Sequence, residues 1–266
     1  MNKHFEKVDG FEAPSPSNII WRYMGLEKFL DMLERRSLRF ARASMMGDRR
    51  ELRLPYEKID AKYWQKRREM SREKRRALDG TDWEVCQSIQ ARSDELRRRT
   101  YLSSWAIAQT ESYALWKIYL GGSRAGVAIK STFSALQKSI QPSQKHTIQC
   151  ARVRYTDDPN PAHLEDRHFI YQKSTHYEYE KELRLTIDYN FDPSTSDDPM
   201  VRMMAGAGHD PTPDSLSLPI DSNTLIREVY LSPFVMGGFR KSFEKIVRKI
   251  DPDLQAPIRV SAVRDS

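Results

Sequence analysis

The chain is predicted to be an α+β protein, with a mixed, largely antiparallel sheet core and a basic helical hairpin inserted into it. Three patterns point there. Glu182, Arg184, Thr186 and Asp188 alternate strictly with Leu183, Leu185 and Ile187, the period of a half-buried strand. Leu26, Phe29, Leu30 and Leu33 fall at i, i+3, i+4 and i+7, the stripe of an amphipathic helix. Lys and Arg crowd residues 56–99, where Asp79-Gly80-Thr81-Asp82 separates two helical segments.

Taken in order, residues 1–18 read as an extended lead-in whose prolines discourage helix, and 19–266 as one α+β domain. Ile19–Tyr23 is a short strand, the helix from Leu26 runs to about Arg36, and Leu38–Ala43 returns to strand. A polar turn, Met46-Gly47-Asp48-Arg49-Arg50-Glu51, closes this unit. In the hairpin, Lys62, Lys66, Arg67, Arg68, Arg72, Lys74, Arg75 and Arg76 load the first helix. Thr81 or Asp82 caps the second, with Trp83, Cys86, Ile89 and Leu96 as its buried positions.

Tyr101–Ile107 is a strand, and a helix from Ser112 carries Tyr113, Trp116, Tyr119 and Leu120 until Gly121-Gly122 ends it. Gly126–Lys130 is a strand followed by a short helix at Leu136, and Thr147–Tyr155 is another strand. His168–Tyr171 opens a short helix. Residues 191–216, rich in Pro, Ser, Asp and Gly, read as a long loop or lid. Its glycines do not join a strand to a helix, so it is no phosphate loop. Strand Glu228–Leu231, a helix marked by Phe239, Phe243, Ile246, Val247 and Ile250, and strand Ile258–Val263 close the chain.

Composition bounds the function. Of 266 residues, 39% are hydrophobic and 30% charged, which describes a polar-surfaced globular chain with ample core. No apolar run approaches the ~20 residues of a membrane span, and the first residues hold no signal-peptide core, so the cytoplasm is expected. Cys86 and Cys150 have no CxxC partner, and His163, His168 and His176 lack metal-site spacing, so no metal is expected. A net charge of +7 and a pI near 9.3 permit an anionic partner, nucleotide or nucleic acid. The basic hairpin is the place for it, unless its interleaved acids make it a solvated helix face.

The chemistry-bearing stretch is Lys173–Asp188. Glu180, Glu182 and Arg184 would project from one strand face, each about 7 Å from the next. Two carboxylates and a guanidinium so held can grip a cation or sugar hydroxyls, or poise one carboxylate as a base. They also read as the wetted, self-paired face of an antiparallel strand. Upstream, Trp105, Tyr113, Trp116 and Tyr119 form either core or the wall of a pocket for a planar ring.

Ordered motifs along the chain resemble the bacterial domain of unknown function family 2971. They are Trp21-Arg22-Tyr23, the partial turn match Gly47-Asp48-Arg49-Arg50-Glu51, and Ser103-Ser104-Trp105. Trp116-Lys117-Ile118-Tyr119 and Gly126-Val127-Ala128-Ile129 follow, then Lys173, Tyr177, Glu180, Glu182 and Arg184, and finally Glu228-Val229-Tyr230-Leu231. The turn match lacks the family's Asn and Pro.

The order of arginine, serine strand and Glu-x-Glu is in turn similar to the ADP-ribosyltransferase layout. That resemblance implies an NAD-consuming enzyme, a toxin or defence effector, cleaving the nicotinamide–ribose bond. It assigns Arg22, beside Tyr23, to the phosphates, and Ser103 and Ser104 to the ribose. Glu182 becomes the catalytic carboxylate, Glu180 faces the acceptor, and Tyr113, Trp116 or Tyr119 walls the nicotinamide. Lys173, Arg184, Asp48 and Glu51 complete the polar site. Trp105 stands where the layout has a third Ser or Thr. The other reading is a non-catalytic interaction module built on the aromatic cluster and the basic surface.

Overall fold

The computed structural model describes residues 4–46, 52, 68–73, 91–141, 146–157, 166–190, 196–207 and 211–263. Asp48, Glu51, His163 and most of the basic hairpin, including Trp83, Cys86 and Ile89, lie outside the described residues.

Twelve strands are described: β1 (Phe5–Lys7), β2 (Ile19–Gly25), β3 (Ser37–Arg42), β4 (Thr100–Ile107), β5 (Gly126–Thr132) and β6 (Ile148–Arg152), then β7 (Arg154–Tyr155), β8 (Gln172–Lys173), β9 (Glu182–Asp188), β10 (Ser215–Pro219), β11 (Glu228–Leu231) and β12 (Ile258–Val260). The helices are α1 (Leu26–Glu34), α2 (Tyr113–Leu120), α3 (Phe133–Ser139), α4 (Asp166–Tyr171), α5 (Pro199–Gly206), α6 (Ser222–Leu225) and α7 (Phe239–Ile250), with residues 91–99 also helical.

Ten of the strands form one sheet in the order β1-β6-β9-β4-β2-β5-β11-β12, with β3 also on β4 and β10 on β3. β1 with β6 and β11 with β12 are parallel, and the other pairings in this sheet are antiparallel. The fold is therefore α+β with a mixed, largely antiparallel sheet.

Local chemistry sets the ends of the elements. Ser112 Oγ accepts from the Leu115 amide to start α2, and Gly121, at φ 52°, ends it in the left-handed region that glycine enters without a Cβ penalty. Thr132 Oγ1 accepts from the Ala135 amide and starts α3 in the same way. In α1, Phe29, Met32 and Leu33 are buried, and Phe29 meets Phe243 of α7 with ring centroids 5.8 Å apart.

On β9, Leu183, Leu185 and Ile187 are fully buried in this main core. Removing such a side chain from water contributes about 1.5–3 kcal/mol.

Several expectations change. β9 is not half wetted: every residue from Glu182 to Ile187 is buried, and only Asp188 is exposed. A helix covers its polar face, because α4 brings Ile170 and Tyr171 over Arg184 and Thr186; the Tyr171 hydroxyl lies 2.6 Å from Thr186 Oγ1. Glu180 is not on that strand. It ends a 3-10 turn, Thr175–Glu180, and Lys181 turns the chain at φ 44° before β9 begins.

The lead-in contains β1, whose Phe5 is 3% exposed and packs edge-on against Phe133. The 191–216 stretch contains α5 and the start of β10, which pairs with β3 from Ser215 to Pro219. The strand expected over Thr147–Tyr155 is interrupted at Val153, so β7 leaves the large sheet and pairs with β8.

Candidate functional site

The site lies at a fork in the sheet. Along one edge, β4 pairs continuously with β9, from Thr100 opposite Asp188 to Ala106 opposite Glu182. Along the other edge it pairs with β3 only at Tyr101 and Leu102, and with β2 only at Ala106 and Ile107. Ser103, Ser104 and Trp105 fall between these pairings, where β2 and β3 diverge. A cavity of about 680 Å³ opens there, within the range of about 300–1,000 Å³ common for small-molecule sites. Arg22, Tyr23, Ser104, Trp105, Tyr119, Lys173, Glu180 and Glu182 all line it.

Register decides which side chains meet. Ser104 lies opposite Arg184 and Ala106 opposite Glu182, so their side chains share a face. Glu182, 4% exposed, accepts from Ser104 Oγ (2.6 Å) and Arg184 Nε (2.8 Å) at Oε1. Its Oε2 accepts from Arg184 Nη2 at 3.0 Å and pairs with Lys173 Nζ at 2.8 Å. The backbone N–H of Glu182 donates to the Tyr155 hydroxyl at 2.8 Å, and Arg184 Nη1 donates to the Ile170 carbonyl at 2.5 Å.

Burial alone pushes the Glu182 carboxyl up. The charges of Arg184 and Lys173, with their hydrogen bonds, overcome that and hold it well below the usual carboxylate range. A carboxylate so held is a fixed negative charge rather than a proton acceptor. Lys173 Nζ also lies 2.8 Å from Glu180 Oε2, so the two glutamates share one ammonium.

Arg22 differs. It leaves β2 at the fork, donates from Nη1 to Ser103 Oγ at 2.6 Å and from Nη2 to the Arg39 carbonyl at 3.3 Å. Its guanidinium carbon stands 5.6 Å from the centroid of the Trp105 ring. Among the described residues no carboxylate pairs with it. Burial lowers it to about 10, with the Tyr119 phenol acting the other way, so it remains a cation at neutral pH. A half-buried guanidinium without a counter-anion, lining a cavity, is suited to an anion.

The structure thus brings together Arg22, Tyr23, Ser104, Tyr119, Lys173, Glu180 and Glu182. Arg184 stands behind Glu182 as its support. Ser103 points to the opposite face of β4 from Ser104, where it anchors Arg22 and does not line the cavity. Trp116 is wholly buried with its Nε1 donating to Glu111, and Tyr113 packs against Phe234, so neither walls the cavity. Tyr119 does: it lines the cavity and its ring stacks on Tyr23. Its phenol is pushed up, by burial first and then by Glu182 and Glu180.

One contributor had no local signal in the sequence: Tyr155 reaches Glu182 only because β7 pairs with β8. Trp105, expected in the core or in a pocket wall, does line the cavity, under the Arg22 guanidinium.

Among the described residues no group of three or more His, Cys, Asp and Glu could hold a metal ion, and no helix is long and apolar enough to cross a membrane. Comparison with protein-family models, curated proteins and solved structures gives no match.

Proposed function

We propose that the chain is an ADP-ribosyltransferase-like enzyme that takes NAD as substrate and breaks its nicotinamide–ribose bond. One observation carries this reading: Arg22, which no carboxylate of the described residues pairs with, and a buried, ionised Glu182 line the same cavity. In this assignment Arg22 receives the diphosphate.

The C1′–nitrogen bond breaks with its electron pair leaving on nicotinamide. The positive charge that builds at C1′ is stabilised by the fixed carboxylate of Glu182. Water or an acceptor hydroxyl then bonds to C1′ and loses its proton, and Glu180 is the nearby carboxylate on the acceptor side. Of the donors on Glu182, the Ser104 hydroxyl and the Lys173 ammonium can turn away to admit a ribose hydroxyl. The forked guanidinium of Arg184 stays in place.

A second reading is supported by the completeness of that hydrogen-bonding. A carboxylate accepting from Ser104 and Arg184 while paired with Lys173 is also what an inert structural anchor looks like, as an interaction module would have.

The test is NAD binding and nicotinamide release by the wild type, Glu182→Gln and Arg22→Gln, with folding checked by circular dichroism. The enzyme reading expects release by the wild type. Glu182→Gln should lose release while still binding NAD, and Arg22→Gln should bind at least about tenfold more weakly, the loss of one charge-assisted contact. A folded wild type that neither binds nor turns over NAD would overturn the enzyme reading and favour the module.

A further inference from the structure

We propose that the outer face of α7 is a docking surface for the phosphodiester backbone of a nucleic-acid duplex, separate from the cavity at the sheet fork. The helix reads Phe-Arg-Lys-Ser-Phe-Glu-Lys-Ile-Val-Arg-Lys-Ile, and its Phe243 and Val247 are buried in the main core. At 100° per residue, Lys245 falls directly opposite that buried side, with Lys241 and Lys249 about 40° to either side and Arg248 about 60° away. All four are exposed. The one acid on the helix, Glu244, is taken by Arg240 at 2.7 Å, and among the described residues no carboxylate pairs with the other four.

This arrangement works against the helix that carries it. Like charges at i, i+3 and i+4 repel, and Arg240 and Lys241 stand in the first turn, where the helix dipole disfavours cations, although it favours Arg248 and Lys249 in the last turn. That end has neither an acidic residue nor a side-chain cap, since Gly238 precedes it at φ 87°. Four exposed cations against one acid leave this face with a net positive charge that a partner of opposite charge would neutralise.

The chemistry of the stripe selects that partner. Its head groups lie along about 10 Å of helix, a line of cations rather than a plane. No aromatic or apolar side chain lies within it to anchor a protein interface. The apolar face of the helix is committed to the core, so it has nothing to insert into a membrane, and Ile246, 41% exposed, lies off to one side. A line of lysine and arginine reading charge alone fits phosphates of either DNA or RNA.

The experiment measures binding of fluorescein-labelled DNA and RNA duplexes of arbitrary sequence by the full chain. It compares wild type, a Lys241→Gln/Lys245→Gln/Arg248→Gln triple and a charge-matched Lys7→Gln/Arg124→Gln/Lys138→Gln triple. Three lost phosphate contacts change the salt slope by about 2.7. Between about 50 and 200 mM salt, wild-type affinity should then fall about 40-fold more than that of the α7 triple. The charge-matched triple should behave as wild type, and the two duplexes tell which nucleic acid is preferred. Equal weakening by both triples would overturn the proposal, as would absence of duplex binding. So would binding to phosphatidylserine vesicles with none to duplex. Thermal unfolding of all three proteins shows that any loss is not one of fold.

Discussion

Arg184 presents Nε and Nη2 to the two carboxylate oxygens of Glu182 at 2.8 and 3.0 Å, although the two residues sit on the same strand, two positions apart. The pair is buried at 1% and 4% exposure, and without Arg184 the Glu182 carboxylate would keep only the Lys173 ammonium that it shares with Glu180. Arg184→Met should therefore cost about 3–5 kcal/mol, measured by urea unfolding. Glu182→Leu combined with Arg184→Met should recover much of that loss, because no uncompensated charge remains on the strand. A double variant no more stable than the single would show that the cost comes from packing instead.

Acid should weaken the protein through the same carboxylate. The folded state holds Glu182 below its ordinary value of about 4.3. Its contribution is therefore complete above that value and is lost as pH falls below it. Wild-type stability should drop progressively as pH falls below about 4.5, and the Glu182→Gln curve should be flatter there. Parallel curves would count against an ionised Glu182 in the fold.

Arg22 makes the opposite prediction at high pH. Burial lowers it to about 10, so its charge survives at neutral pH and fades above that value. Binding of ADP-ribose should be steady from about pH 7 to 9 and weaken as pH rises past 10, and Arg22→Gln should remove this dependence. Isothermal titration calorimetry follows both, with near-ultraviolet circular dichroism to confirm that the fold persists.

Gly126 lies opposite Gly25 where β2 and β5 pair, and a Cβ there would fall 2.0 Å from Leu120 Cδ2 and 3.1 Å from the Met24 carbonyl. Leu120 packs with Trp116 and Tyr23, so it has little room to yield. Gly126→Ala should cost about 1–3 kcal/mol, the range for overpacking a filled core. It should also shift α2, which carries Tyr119 at the cavity wall. Unchanged stability would show that Leu120 can turn aside.

Periodic patterns in the sequence located most of the large elements. Leu26, Phe29, Leu30 and Leu33 marked α1, and the alternation from Leu183 to Ile187 marked β9 with the right residues facing the core. Ser112 and Gly121-Gly122 marked both ends of α2, because capping and left-handed turns are chemistry of adjacent residues. The same locality explains what was hidden. β1 is a strand only because β6 pairs with it, and its three residues carry no pattern of their own. β10 does alternate, with Leu216 and Leu218 between Ser215, Ser217 and Pro219, but the Pro, Ser and Asp around it read as loop until β3 pairs with it.

For the site, the sequence by itself determined that Glu182 and Arg184 share a face, because a strand places alternate side chains on the same side. Only the tertiary structure decided that this face is dry, since α4 lies over it and supplies the Ile170 carbonyl and the Tyr171 hydroxyl. It also decided that Ser104 reaches Glu182 while Ser103 turns away to hold Arg22, and that Tyr119 rather than Trp116 lines the cavity. Backbone periodicity states which residues point the same way. What stands opposite them depends on pairings between segments far apart in the chain, and those are set by the packing of the whole sheet.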